Sequence, residues 1–510
     1  MTRSGFNIAP VQRWLIGAFL LAAVIRGYLL WQYYCISSDG VRYIRAAQDF
    51  FEANISAGLH SLYPPGYPLL IAAVYPLIGD WELAGQFLSL LFGVGLLLPL
   101  YWICRDIFNI KIALIGCYLA AVSPFLALYS AHVRSESSYL FLSTIAFYVF
   151  FTAIEKHSIR RFFFGGLLAG YGFLIRPEAM GFLLIVPAVL LLRYFLWRDP
   201  SFTGLLQSTA TLSGAFLMVA LPYIVYLSID TGRFGAFSRK AGLTLQITLQ
   251  ESGWLDKGED SQETDVGSFV FTEFVRKHPV TYTKKVAWDL VPAIWVFIQA
   301  LYYSYLPFLI LGIVDYFRNR IFVRSHLLLI GFVLFYVFGF ALIYVKRRYA
   351  LQAVPLSLAW VAMGITFLWD QMRQQMTYRR ARIATACMGV LFLVATLPRT
   401  LKPISREKAF VRRAGWYLKA RNPSGQLRVA AFDERVAFYA RARSIVLTNI
   451  NSGNMKSFLR NQSAHYLAAE AKDLEKMLPE VSRRPEQFGL VLEEKFIGTR
   501  GHQMLLFKVS

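Results

Sequence analysis

Long stretches almost free of ionisable side chains recur along most of this chain. A bilayer-crossing helix needs about 20 consecutive apolar residues, because only a helix or a closed barrel satisfies its backbone inside lipid. The candidate spans are 14–33, 81–103, 112–130, 136–154, 162–175, 179–196, 205–229, 287–314, 326–345, 350–369 and 383–398. A further apolar stretch, 67–78, is short and flanked by prolines, which suits an interfacial or half-spanning position. Only 16% of residues are charged, against about 25% in a typical soluble domain. The expectation is an all-α polytopic membrane protein with about 11–13 transmembrane helices. The first apolar run is too long for a signal-peptide core and lacks a small-residue cleavage site, so it reads as a retained helix.

The net charge of +22 comes from 53 Lys and Arg against 31 Asp and Glu. These basic residues lie between apolar blocks, which points to membrane lipids as partners and away from nucleic acid. With the N-terminus inside, the inner connections hold Arg105 and Lys111, then Lys156, Arg160 and Arg161, then Arg193 and Arg198. Arg318, Arg320 and Arg324, and later Arg373, Arg379, Arg380 and Arg382, continue the pattern. Each inner connection is basic, as the positive-inside rule requires. The four cysteines form no CxxC pair, so neither a disulfide framework nor a zinc site is expected.

Three longer segments fall on the outer side. The first, 35–80, contains an amphipathic stretch and then Tyr63-Pro64-Pro65-Gly66-Tyr67-Pro68, whose prolines interrupt any continuous helix. The second, 230–286, carries Asp256, Glu259, Asp260, Glu263 and Asp265, a cluster that reads as a solvated loop because it lacks calcium-loop spacing. The third is the tail, 402–510, where apolar density falls. An amphipathic helix over 407–420 and strands at 427–432 and 444–447 predict a small α/β domain there. The expected organisation is a membrane domain over 1–401 and an extracytoplasmic domain over 402–510.

Ionisable residues at span ends carry the functional signal. Asp39, Arg134 with Glu136, Arg176 with Glu178, and Lys346-Arg347-Arg348-Tyr349 all fall at outer ends. Charge near the bilayer is costly, and a one-sided set points to an outward-facing polar site rather than to ordinary snorkelling. Asp39, in Ser37-Ser38-Asp39-Gly40, has the chemistry of a general base that takes a proton from an attacking hydroxyl. The plainer role for Asp39 is a helix N-cap. Lys346, Arg347 and Arg348 break the charge rule and suit a phosphate, whose oxygens match the guanidinium fork. Headgroup binding is the plainer role for these three. Glu136 and Glu178 also suit structural ion pairs with nearby arginines. No nucleotide-binding, HExxH or GxSxG motif is present, so any energy for chemistry must arrive in the substrate.

The motifs, in order, resemble those of the membrane-embedded glycosyltransferases that use lipid-phosphate sugars. That family includes the protein O-mannosyltransferases and the bacterial aminoarabinose transferases of lipid A. The resemblance rests on Ser38-Asp39-Gly40 with Tyr43, the Tyr63–Leu69 proline turn, and Arg134-Ser135-Glu136. Leu174-Ile175-Arg176-Pro177-Glu178-Ala179 and Arg347-Arg348-Tyr349-Ala350-Leu351 complete it. In the tail, Gly415-Trp416-Tyr417-Leu418 and Phe438-Tyr439 are similar to the outer domain of many bacterial members. The resemblance implies a type C glycosyltransferase fold, a polyprenyl-phosphate sugar donor, inverting transfer and a base at Asp39. It places the donor phosphate at Arg347 or Arg348, beside Lys346. Tyr43, Tyr63, Arg134, Glu136, Arg176, Glu178 and Tyr349 are then site-lining candidates. Neither cofactor nor metal is expected, and the acceptor is an envelope glycan, lipid or protein. Where many members have Asp-Glu this chain has Asp39-Gly40, and Tyr63 stands where many have His. The tail type implies a bacterial inner or cell membrane, with the active site outside. A transporter or flippase for a lipid-linked or anionic substrate is the alternative. It would call for inverted repeats, which are not evident, and a non-catalytic assembly subunit is a third reading.

Overall fold

The structure, a computed structural model, describes residues 8–232, 238–239, 275–318, 324–447 and 452–510. The acidic cluster expected in the second outer loop lies outside the described residues. The chain forms two compact units, Met1–Gly27 with Ala46–Leu401, and Tyr28–Arg45 with Lys402–Ser510.

The first unit is helical. Among the described residues, eight helices are long and apolar enough to cross a membrane. They are Val11–Trp31, Trp81–Ile107, Glu136–Glu155, Pro177–Trp197, Phe202–Thr231, Arg324–Leu342, Arg347–Gln375 and Tyr378–Thr400. A ninth is obtained by joining Pro279–Leu301 to Tyr303–Arg318, a pair bent by 91°. The all-α polytopic class is therefore as expected, with eight or nine such helices among the described residues against the roughly 11–13 that the sequence implied.

Three expected spans account for the difference. The 112–130 span breaks at Ser123, whose extended backbone precedes a proline that starts a new short helix. The 287–314 span bends at Tyr302, a non-glycine residue at φ 83°. The 162–175 span is helical over Ile159–Ile175, but its 17 residues begin with Arg160 and Arg161.

The break at Ser123 exposes the last carbonyls of the Ile110–Val122 helix, which lipid cannot hydrogen-bond. Side chains from other helices satisfy them in turn. Tyr305 Oη donates to the Leu119 carbonyl at 3.0 Å. Arg26, fully buried, donates to the Ala120 carbonyl at 3.4 Å and to that of Ala121 at 3.2 Å. Thr400 Oγ1 donates to the Val122 carbonyl at 2.8 Å. A buried arginine in the first helix thus has a structural cause in a proline a hundred residues away.

Ionic clusters mark both ends of the Glu136–Glu155 helix. At its end, buried Arg193 pairs with Glu155 at 2.6 Å and Asp199 at 2.7 Å, and Asp199 also meets Arg324 at 3.1 Å. At its start, Glu136 joins the cluster described below. Twenty residues at 1.5 Å each separate these groups by about 30 Å, the thickness of a bilayer's hydrocarbon layer.

The second unit contains a five-stranded mixed sheet ordered β2-β1-β3-β5-β4. The strands are β1 Arg428–Ala431, β2 Arg443–Val446, β3 Tyr466–Glu470, β4 Leu490–Ile497 and β5 Gln503–Val509. β1 runs parallel to β2 and β3, and β5 runs antiparallel to β3 and β4. Ala430, Leu459, Leu467, Leu474, Leu490 and Phe507 close its core. The expected α/β character of the tail is realised, with helix Ala409–Ala420 preceding β1.

Candidate functional site

The candidate residues fall into two groups, one in each unit. In the membrane unit, the Glu136–Glu155 helix starts with a buried carboxylate, and the Ile159–Ile175 helix ends just before Arg176. Pro177 stops that helix and sets Arg176 in extended backbone. Arg176 then meets Glu136 at 3.2 Å and Glu178 at 2.8 Å. Its guanidinium lies over the rings of Tyr139, at 5.8 Å, and Tyr349, at 5.3 Å. Tyr336 Oη shares a 2.5 Å hydrogen bond with Tyr139 Oη and donates to the Glu178 carbonyl at 3.3 Å. Glu136 is therefore committed to an ion pair with Arg176.

The proline turn packs beside this group. Tyr63 and Tyr67 are buried, and Tyr67 Oη is 3.0 Å from Ser89 Oγ, which donates to the Arg134 carbonyl at 3.4 Å. Gly66 is required there, since a Cβ would stand 2.7 Å from the Leu174 carbonyl oxygen.

Lys346 is extended and exposed, and it precedes a single helical turn, Arg347–Ala350. Lys285 and Tyr282 shape the approach to that turn. Lys285 donates to the Ala341 and Ile343 carbonyls at 2.8 and 2.9 Å, and Tyr282 Oη to that of Leu342 at 3.0 Å. Arg348 donates to Tyr349 Oη at 3.0 Å, so the Tyr349 ring carries guanidinium groups from both Arg176 and Arg348. Arg347 lies over the Phe125 ring at 4.1 Å, and Arg399 lies over the same ring at 5.3 Å. Tyr129 is within electrostatic reach of Arg134, Glu136, Arg347 and Arg348.

Two like charges over one ring repel, and among the described residues neither Arg347 nor Arg399 has a carboxylate partner. Arg347 Nε is buried without a hydrogen-bond partner among the described residues. Gln352, 2% exposed, has neither its amide oxygen nor its amide nitrogen paired among the described residues. Each unpaired buried polar group costs about 1–3 kcal/mol, so these groups suit a ligand that supplies acceptors to Arg347 and the Gln352 amide nitrogen and a hydroxyl donor to the Gln352 oxygen.

Arg399 and Gln352 are candidates that sequence reasoning passed over. Arg399 carried a signal, being a cation at the end of the last span. Gln352 carried none, because only burial reveals that its amide is unpaired.

In the second unit, Asp39 lies in the first turn of the Ser38–Phe51 helix, partly exposed, and Tyr43 is buried one turn on. The N-cap role falls instead to Ser37, whose Oγ accepts the Gly40 N–H at 3.1 Å. Asp39 thus stands in the first turn of a helix, where the backbone dipole favours negative charge. Among the described residues, no three His, Cys, Asp or Glu side chains come together as a metal site would require.

Residues 63–227 match the family Dolichyl-phosphate-mannose-protein mannosyltransferase. That region holds Tyr63, Arg134, Glu136, Arg176 and Glu178, while Asp39 and the Lys346–Tyr349 turn lie outside it. No curated protein sequence matches the chain significantly. Solved structures of similar fold include ArnT from Cupriavidus metallidurans bound to undecaprenyl phosphate. It has a TM-score of 0.60 at 11% identity, over 97% of both chains. The oligosaccharyltransferase of Archaeoglobus fulgidus in its apo form has a TM-score of 0.52 at 13% identity, over 91% of this chain and 70% of that one. The same enzyme tethered to an acceptor peptide with an NVT sequon has a TM-score of 0.51 at 13% identity, over 91% and 69%. Residues 63–227 are thus similar to the dolichyl-phosphate-mannose-protein mannosyltransferase family, and the chain shares its fold with ArnT and with the oligosaccharyltransferase.

Proposed function

We propose that this protein transfers a sugar from a polyprenyl-phosphate donor to an acceptor hydroxyl at the outer face of the membrane, with inversion. The observation that carries the reading is the pair of guanidinium groups, Arg347 and Arg399, held over Phe125 with no carboxylate partner among the described residues. Such a pair favours a phosphate, and the fold is shared with a structure solved bound to undecaprenyl phosphate.

In the reaction, Asp39 takes the proton of the acceptor hydroxyl as that oxygen attacks the anomeric carbon. The bond from that carbon to the phosphate oxygen breaks, and polyprenyl phosphate leaves with the electron pair. Arg347 and Arg348 receive the negative charge that grows on the leaving phosphate, and Arg399 and Lys346 add to the field. Gln352 supplies an amide to phosphate or sugar oxygens. Arg176, held by Glu136 and Glu178 and flanked by Tyr139 and Tyr349, fixes the wall beside the cationic turn. The acceptor is an envelope glycan, lipid or protein.

The test is release of polyprenyl phosphate in vesicles, with a panel of polyprenyl-phosphate sugars and an envelope extract as acceptor. The intact protein should release lipid phosphate with at least one donor, and Asp39→Asn should lower the rate by at least about a hundredfold. Full activity in Asp39→Asn would remove the base.

A further inference from the structure

The segment that carries Asp39 is gripped on both sides by the sheet-bearing tail of its own unit. Before Asp39, the Ile36 N–H donates to Tyr439 Oη at 2.7 Å, and both groups are buried. The Tyr34 N–H donates to the Ile404 carbonyl at 3.1 Å, and the Ile404 N–H to that of Gln32 at 2.9 Å. Arg412 donates to the Tyr33 carbonyl at 3.0 Å while lying over the rings of Trp416 and Tyr439. After Asp39, Arg45 and Arg42 both pair with Glu434, which begins the short helix that ends in Tyr439. Six residues, Glu434 to Tyr439, therefore hold the chain on each side of the carboxylate.

The sequence is built for this grip. Gly415 leaves room for Tyr439, because a Cβ at 415 would overlap the Tyr439 Cβ. Gly415-Trp416 and Phe438-Tyr439 stood out in the tail without an assigned task. Cys35, between the two backbone contacts, is fully buried, and Arg435 points its guanidinium at the Cys35 sulfur while bound to Asp433.

We propose that Tyr439, with Glu434, is a positioning residue for Asp39, so that the tail domain sets the orientation of the base. This rests on the reading of Asp39 as the base. An extracytoplasmic domain then has a part in catalysis without touching substrate. A hydroxyl-to-backbone bond at Ile36 fixes where the Ser38–Phe51 helix begins, and a misplacement of about 1 Å at a reacting group costs about a hundredfold in rate.

Two readouts test it in a Cys387→Ser background, where Cys35 is the thiol to watch. Tyr439→Phe keeps the ring and removes only the hydroxyl, and Glu434→Gln releases the two arginines. Both variants should raise the rate of Cys35 labelling by a water-soluble maleimide. In the vesicle assay both should lower kcat about ten- to a hundredfold and leave the KM for the polyprenyl-phosphate sugar within about twofold. Unchanged labelling in both variants overturns the grip. Faster labelling with unchanged kcat overturns the positioning role, and so does a rise in donor KM that accounts for the loss of activity. Glu434→Gln keeps the proposal falsifiable if Tyr439→Phe does not fold. Full activity in Asp39→Asn would sink the base reading and the positioning role together, and the labelling result would then report the grip alone.

Discussion

Gln352 shows how a single residue separates stability from function. A buried amide with both ends unpaired among the described residues is a liability that an apolar side chain would remove. Gln352→Leu should therefore leave the melting temperature of the detergent-solubilised protein unchanged or raise it. The same change should raise donor KM about tenfold, the worth of one or two lost hydrogen bonds. A large fall in melting temperature with unchanged KM would show the amide to be structural. Arg26 is the contrasting case, since its three guanidinium nitrogens donate to the broken helix, to Ser130 and to the Ala22 carbonyl of its own helix. A buried arginine in a span looks functional by cost alone, and here two of its partners are carbonyls at a helix end, which lipid cannot satisfy. At this scale the sequence showed where charge was odd, at Asp39, Arg176 and Arg347. It could not show pairing. That Glu136 is joined to Arg176 depends on two helix ends meeting, which no local pattern encodes.

Among the elements, the sheet of the tail has its own titration. Glu470, at the end of β3, receives Lys408 Nζ at 2.7 Å and also meets His502. Burial by itself would raise its pKa, but the hydrogen bonds from Lys408 and His502 outweigh burial and hold the carboxyl below the usual glutamate range. A carboxylate lowered in the folded state stabilises the fold above its ordinary pKa. That stabilisation is lost as pH falls through the lowered folded value. Glu470→Gln should accordingly melt at a lower temperature than the native protein at neutral pH. The gap should narrow as pH falls below the usual glutamate range. A gap that is constant with pH would mean the ion pairs contribute nothing. The helical elements teach a different lesson. Periodicity and length located the long spans, and local breakers located some of their faults. Pro124 was visible, yet hydropathy outweighed it when 112–130 was read as one span. The bend at Tyr302 had no breaker of its own, because a tyrosine gives no local signal for the positive φ it adopts.

For the whole molecule, the two ionic clusters about one bilayer thickness apart fit a protein held in register with the membrane. Applied to the basic connections, the positive-inside rule predicts a cytoplasmic N-terminus and an outer tail. A C-terminal alkaline phosphatase fusion should then be active in a bacterial host, and a fluorescent-protein fusion at the same point dark. The reverse pattern would invert the topology and move the proposed chemistry to the cytoplasmic side. The sequence by itself determined the membrane-spanning class, the basic faces, the small α/β tail and the residues at which charge sits against the rule. These follow from local chemistry, since a run of apolar residues or a misplaced arginine carries its free-energy cost wherever it folds. Tertiary structure decided the rest. It set how many helices are long enough to span, which carbonyls Arg26 must satisfy, and which carboxylates hold Arg176. It paired Arg347 with Arg399 on Phe125, and it bound the Asp39 segment to Tyr439, some four hundred residues away. Each of these is a meeting of distant segments, and its energy exists only once the chain has packed.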